Sequence, residues 1–425
     1  MREIKCIDRT FDVRVKAPPS KSYTHRALLV ASLAEGKSRI IDPLISDDTK
    51  YTLNSLKELG VDINEESNDD GKILFTIEGR SGKLKEPRNT LYIGNSGTSL
   101  RFLMAISSLV DGTVIIDGDE EVRKRPVKGL EVSLKKLGIG VSSNNGCPPV
   151  RISSSGVLGG ETIIEPRESS QYLSGLLIAS PYSRPNLKIN VEGQVPSSPY
   201  VDMTLDIMKT FGVSVERKGF SEFFILPSKY IGRDYKVEGD FSNSSYFMAV
   251  AAISGGRITI DNLNKNSKQA DKFFVDILEK MGCNVEWGDN FLIIKGSELK
   301  GIEIDMKKSP DIVPTLSVVS AFAKGPTKIY NIGTLRYKET DRISAVAKEL
   351  SKIGCKIEEG KDYLIIEPGN LKGAEIETYK DHRMAMSFAV AGLFIEGIKI
   401  FGPECVSKSY PSFWDDFSKV CGGLN

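Results

Sequence analysis

The chain has 425 residues, 40 % of them hydrophobic, enough to bury the cores of two or three domains of ordinary size. Lys and Arg number 57 against 56 Asp and Glu, a net charge of +1, so no overall field favours nucleic acid or an anionic membrane and any anion site must be local. No apolar run approaches the ~18 residues of a membrane span, and MREIKCIDRT is too charged for the apolar stretch of a signal peptide, so a cytoplasmic protein is expected. The six cysteines are scattered without a CxxC or a paired His, which argues against metal and against a disulfide frame. With only His25 and His382 present, chemistry falls to Lys, Arg, Asp and Glu.

The first predicted helix begins within Ala17–Leu29, APPSKSYTHRALL. Two prolines stop the preceding strand, and Ser20, Lys21 and Ser22 stand where the helix begins. Free N–H groups there attract anions, and Lys21 and Arg26 add charge, although an ordinary capped helix reads the same way. Next comes LKELGVDI at Gly60, the first of a series: LKKLGIGV at Gly138, MKTFGVSV at Gly212, LEKMGCNV at Gly282 and LSKIGCKI at Gly354, spaced 78, 74, 70 and 72 residues apart. A sixth, FSKVCGGL near Gly422, has its Gly displaced by one position. A second series, at Gly36, Gly112, Pro185, Gly256, Gly325 and Gly397, ends a small-residue helix and starts a β-branched strand.

Two markers on one period predict six units of about 70 residues, each strand, helix, strand, helix, strand, strand. Six long, varied units fit two lobes of three better than a solenoid. The division falls near Tyr230–Phe241, where IGRDYKVEGD reads as a crossing, and the PP stretch offers a second crossing. The expected organisation is therefore an α/β (α+β) chain: residues 1–18 plus 230–425 in one lobe, 19–229 in the other, with a hinge at the two crossings.

Between the markers lie stretches that carry chemistry. GNSGTSLRFL combines Gly94 and Gly97 with Asn95 and short donors ahead of a helix, a plain cap or an anion cradle, with Arg101 able to reach the anion or brace the loop. In GDEEVRKRP, Arg125 is the cation of the three held extended by the following proline. PRESSQY puts Ser169, Ser170 and Gln171 ahead of an apolar helix, and SSPYVDMT adds Ser197 and Tyr200. SPDIVP sets Asp311 at a helix entry, as a cap or a general base. RYKETDR crowds Lys338, Glu339, Asp341 and Arg342 together, either a surface ion-pair ladder or a site; DHRMAM brings Arg383 and SKSYP brings Lys408.

Taken in order, PSKSYTHRA, GNSGTSLRFL, RKRP, SSQY, SSPYVDMT, SPDIVP, YKETDR, DHRMAM and SKSYP make the chain resemble the EPSP synthase (3-phosphoshikimate 1-carboxyvinyltransferase) family over essentially its whole length. The resemblance implies the enolpyruvyl transferase fold, two lobes of three βαβαββ units forming an inside-out α/β barrel. It implies transfer of the enolpyruvyl group of phosphoenolpyruvate to the 5-hydroxyl of shikimate 3-phosphate, with release of phosphate and no cofactor or metal, by a monomer. By the same resemblance Lys21, Arg125, Arg342, Arg383 and Lys408 hold phosphoenolpyruvate, with Asn95, Gly97 and Gln171 beside it. Ser22, Arg26, Ser169, Ser170, Gln171, Ser197, Tyr200 and Lys338 hold shikimate 3-phosphate and Asp311 its reacting hydroxyl, while Glu339 and Lys21 are candidate acids.

Two positions depart from the family pattern: Thr334 stands where Asn is frequent, and Phe102 where Pro is frequent. The related UDP-N-acetylglucosamine enolpyruvyl transferases typically have Asn after the first Lys and a Cys in the basic loop, whereas here Ser22 follows Lys21 and GDEEVRKRP has no Cys. A phosphosugar-binding protein without catalysis would need no acid and base in its site.

Overall fold

In the computed structural model, which describes residues 1–7, 12–67 and 73–421, the helix-ending glycine of each of the five clear LKELG-type phrases has a left-handed backbone. Their φ angles are 85° at Gly60, 81° at Gly138, 91° at Gly212, 119° at Gly282 and 104° at Gly354. Glycine adopts this conformation without a Cβ penalty, so each phrase closes a helix and turns the chain into a strand. Gly422, in the sixth phrase, lies outside the described residues. In the second series the left-handed residue of SGGRITI is Gly255, the cap of its helix, one position before the Gly256 that the sequence pattern marks.

The chain divides into two units: Met1–Pro18 together with the chain from Glu238 onward, and Pro19–Val237. The second boundary thus falls later than the sequence suggested, and residues 230–237 join the unit that precedes them. The cause is a short charged strand, Asp234–Lys236, that pairs in parallel with Lys37–Ile41, while Tyr230 is wholly buried. A three-residue edge strand with alternating charge reads as a linker because its only apolar anchors are remote in sequence.

The unit Pro19–Val237 holds helices α1 (Lys21–Leu33), α2 (Asp47–Glu58), α3 (Gly97–Ile106), α4 (Lys128–Lys136), α5 (Gln171–Ala179) and α6 (Pro199–Thr210). The other unit holds α7 (Phe241–Ser254), α8 (Phe273–Met281), α9 (Val313–Ser320), α10 (Arg342–Lys352), α11 (His382–Gly392) and α12 (Phe413–Cys421). Odd-numbered helices, rich in Ala, Ser, Leu and Val, are buried on nearly all sides; even-numbered ones bury a single stripe and carry charge outward. Burial of α1 runs from Tyr23 to Leu33, of α3 over all but Thr98, and of α5 over all but Gln171. These three helices therefore present to the surroundings chiefly their first residues.

Each unit has three small sheets among the described residues; five are four-stranded on one plan, and the sixth keeps three strands of it. In the sheet of the second copy, Leu91–Tyr92 runs parallel to Asp111–Asp117, which pairs antiparallel with Cys147–Ser155, itself antiparallel to Gly140–Asn144. With α3 and α4 between, this is the expected βαβαββ order. The leading strands of the first and fourth copies are exchanged: Asp12–Lys16 pairs with Arg257–Asp261, and Asp234–Lys236 pairs with Lys37–Ile41. In the sixth copy the antiparallel partner is Arg2–Glu3 from the start of the chain. Central strands alternate sides, so that Ile258 and Ile260 enter the core while Arg257 and Asp261 do not. One core gathers around Phe247, Leu316 and Phe388, where α7, α9 and α11 pack on one another. The other gathers around Leu28, Leu103 and Leu176, with α3 on α5 and α1 against α2 and α6. Among the described residues no helix is long and apolar enough to cross a membrane.

Candidate active site

Two clusters of charge form, one in each unit, and both sit where buried helices begin.

In the unit Pro19–Val237, Ser20 caps α1 by accepting from the Tyr23 N–H (3.4 Å), which leaves Lys21 and Ser22 half-buried at the helix mouth. The Lys21 ammonium donates to Asp48 (3.1 Å), an acid 4 % exposed on the second residue of α2, which the sequence reading did not single out. Arg26, 2 % exposed, donates from Nε to Thr204 (2.8 Å), from Nη1 to the Ser22 carbonyl (2.9 Å) and from Nη2 to the Tyr200 carbonyl (3.0 Å). Its guanidinium also lies 5.2 Å over the Phe102 ring, and burial lowers its pKa to about 10. Arg26 thus ties α1 to α6, holding the Tyr200 backbone in place.

At the start of α3, Ser96 caps the helix and Arg125 donates to the Asn95 side chain (3.1 Å). Of the three cations in RKRP, Arg123 and Lys124 spend their charge in exposed pairs with Asp117 and Glu121, and Arg125 turns inward to 6 % exposure. Arg101 braces rather than binds: its Nη1 donates to Gln171 Oε1 (2.9 Å) and its guanidinium lies over Tyr172, while Gln171 Nε2 donates to Thr98 (2.9 Å). The starts of α3 and α5 are therefore bridged by the half-buried Gln171. Ser169 accepts from the Gln171 N–H (3.2 Å), so one of the three groups in SSQ does cap the helix, and Ser170 is the buried N-cap residue. Ser197, ahead of α6, has φ of 49°, a left-handed conformation costly for a serine.

In the other unit Arg342, the first residue of α10, is 1 % exposed and meets three carboxylates. Nε and Nη2 grip Asp381 (2.7 and 3.2 Å), Nη1 donates to Asp311 (3.0 Å) and Nη2 donates to Glu339 (2.6 Å). Asp381 also caps α11 by accepting from the Arg383 N–H (2.8 Å), so one carboxylate fixes both helix starts. Asp311, in the turn before α9, takes Lys338 at 3.1 Å and Arg383 at 3.6 Å as further partners, and Lys408 stands 3.8 Å from Glu339. RYKETDR is in part the surface ladder that its pattern allowed, with Arg336 on Asp341 and Glu359, and in part this inward cluster. Thr334 is half-buried in the turn before it.

Electrostatics follow from these contacts. Burial alone would raise the Asp311 pKa, but Lys338, Arg383 and Arg342 outweigh it and hold the carboxyl well below the usual carboxylate range. Burial pulls Lys338 down despite Asp311 beside it. For Arg342 burial is outweighed by Asp381, Glu339 and Asp311, and its pKa rises. A fourth acid, Asp271, 1 % exposed, has its pKa raised by burial and by Asp311. Asp48 and Asp271 are the residues that sequence reasoning missed, and Asp381, noted in DHRMAM only as standing ahead of its helix, was given no part in the cluster; each is an acid whose partner lies far away in the chain.

Cations at buried helix starts, backed by carboxylates able to take and give protons, define an enzyme built for small, multiply charged anions. The model of the family EPSP synthase (3-phosphoshikimate 1-carboxyvinyltransferase) matches residues 8–417. A 3-phosphoshikimate 1-carboxyvinyltransferase of Sulfurovum sp. (strain NBC37-1) is 42 % identical over 419 residues, 97 % of each chain. The EPSP synthase structure from Acinetobacter baumannii superposes with a TM-score of 0.82 at 30 % identity, covering 99 % of this chain and 98 % of that one. The enolpyruvyl transferase NikO from Streptomyces tendae shares the fold, with a TM-score of 0.76 at 16 % identity over 98 % of this chain and 96 % of the other. The chain belongs to the EPSP synthase family and is a transferase of the shikimate pathway.

Proposed function

We propose that the chain transfers the enolpyruvyl group of phosphoenolpyruvate to the 5-hydroxyl of shikimate 3-phosphate. Lys21, Arg125, Arg342, Arg383 and Lys408 take the donor's phosphate and carboxylate, with Asn95, Gly97 and Gln171 beside them. Ser22, Ser169, Ser170, Gln171, Ser197, Tyr200 and Lys338 take the acceptor; Arg26 serves it while holding the backbone of Ser22 and Tyr200.

Protonation of the donor's methylene carbon leaves a cationic centre at C2, which the 5-hydroxyl attacks as Asp311 removes its proton. Glu339 and Lys21 are the candidate acids. The tetrahedral adduct then loses phosphate onto the cations, and a methyl proton leaves to restore the double bond. The observation that carries this reading is that Asp311 and Glu339, base and acid candidates, sit 3.0 and 2.6 Å from one guanidinium, that of Arg342. Lys338, Arg383 and Arg342 make Asp311 a weak base. Anions that draw Lys338, Arg342 and Arg383 to themselves restore its basicity, so the base is switched on by the substrates it serves. We infer further that the enzyme works as a monomer in the cytoplasm.

Phosphate release from phosphoenolpyruvate and shikimate 3-phosphate tests the reading, and release that requires a UDP-sugar instead overturns it. Asp311→Ala and Glu339→Gln are expected to bind both substrates yet lose turnover by roughly a hundredfold or more. Near-normal turnover in both removes the acid–base assignment.

A further inference from the structure

Asp271 lies in a short turn before α8, 1 % exposed, and is held from two sides: Ser242 at the start of α7 hydrogen-bonds one carboxyl oxygen, and Ser309, two residues before Asp311, donates to the other (2.8 Å). Among the described residues no cation comes within ion-pair distance of it, although three cations converge on Asp311 nearby. Charged groups facing it are Asp311 from the turn before α9, which disfavours its charge, and Arg383 on α11, which favours it. Lys272, the next residue, turns away to the Lys265 carbonyl (2.7 Å).

A buried carboxylate with hydroxyls alone for partners carries a large desolvation cost, and a neutral carboxylic acid does not. In the neutral form the carboxyl has an O–H to donate to one serine and an oxygen to accept from the other, so both hydroxyls are satisfied with fixed polarity. Given that Asp311 is the base read above, we propose that Asp271 is a positioning residue for it: a neutral acid that locks the Ser309–Asp311 turn against the start of α7, leaving Arg383 and its companions to Asp311 and the substrates. A charged Asp271 would compete with Asp311 for Arg383 and add a second carboxylate where anions must enter.

The test compares Asp271→Asn, which mimics the neutral acid in shape, with Asp271→Ala, which removes the link, and with Asp311→Ala as a control on the reading it rests on. In the phosphate-release assay Asn should keep kcat within about threefold across pH 6–9, and Ala should lose tenfold or more in kcat with a smaller change in either KM. Asn failing as badly as Ala, or Ala retaining full turnover, overturns the proposal. Normal turnover in Asp311→Ala points to failure of the underlying reading instead. Should the Ala variant not fold, Tm against pH decides on the Asn variant. A raised carboxyl pKa makes the wild type lose stability relative to Asn as pH rises from about 4, so the Tm difference, Asn minus wild type, should widen upward between pH 4 and 7. A difference that narrows or reverses over that range means a charged Asp271 and defeats the proposal.

Discussion

The Arg125 guanidinium fills the space that a side chain on Gly97 would need: a Cβ there would stand 2.5 Å from Arg125 Nη1 and 3.3 Å from Arg101 Nη1. Gly97 is the first residue of α3 and has an ordinary backbone, so its role is to allow close approach rather than an unusual turn. Gly97→Ala is expected to push the tip of Arg125 off Asn95 and leave the fold nearly unchanged. KM for phosphoenolpyruvate should rise about tenfold or more, with shikimate 3-phosphate affinity and Tm little altered. Equal losses for both substrates would mean that the whole helix start had shifted.

Phe102 gives Arg26 its floor. The ring is 1 % exposed and 5.2 Å below the guanidinium, whose N–H groups reach Thr204 and two carbonyls. A desolvated cation over a ring contributes up to ~2 kcal/mol. Phe102→Leu keeps most of the volume and removes that contribution, so Arg26 should loosen its hold on Tyr200. We expect KM for shikimate 3-phosphate to rise several-fold while that for phosphoenolpyruvate stays within twofold. The reverse pattern in steady-state kinetics would place Arg26 on the donor side.

How far these relationships can be read from sequence depends on how local their causes are. Gly60, Gly138, Gly212, Gly282 and Gly354 could be found because a left-handed helix cap is a property of one residue and its immediate neighbours. Lys21, Asp311, Glu339 and Arg342 could be found because each stands beside a helix start. Asp48 could not: in ISDDTK it reads as a helix-start acid, and nothing nearby says that it turns to Lys21, 27 residues earlier. Asp381 reads as the cap that it also is, and its grip on Arg342 spans 39 residues. For Asp271 the sequence shows only an acid in QADKF. Half of the strand exchange was legible, since the PP stretch put residues 1–18 with the later lobe; the other half was hidden, because the pairing partners of Asp234–Lys236 lie near residue 40.

Stability should carry the mark of Asp311. Its pKa is depressed, so its share of stability is present above the unfolded value near 4 and is lost as pH falls through the folded value below it. In Asp311→Asn that share is missing at every pH, and Lys338, Arg342 and Arg383 lose a common counter-charge. Wild type should therefore melt above the variant at pH 7, with the gap closing as pH falls from about 4 toward 2. A gap that is constant with pH would show that Asp311 gains nothing from its cations in the folded state.

Arg342 is the centre on which the most depends. Its fork meets Asp381, Asp311 and Glu339 at 1 % exposure, and a lysine has neither the planar geometry nor the donors to serve three carboxylates. Removing one partner of a buried ion pair costs about 3–5 kcal/mol, which is the upper limit for a lysine that keeps the charge and loses the fork. Arg342→Lys should then lower Tm by at most roughly 6–20 °C and reduce kcat/KM by more than a hundredfold. Part of the stability loss belongs to the stranded Asp381, whose side chain is wholly buried. Adding Asp381→Asn to Arg342→Lys should restore some Tm without restoring turnover, since Asn still caps α11 while the guanidinium fork stays absent. Strictly additive Tm losses would show that the two side chains act independently, and recovered turnover would remove Arg342 from the substrate site.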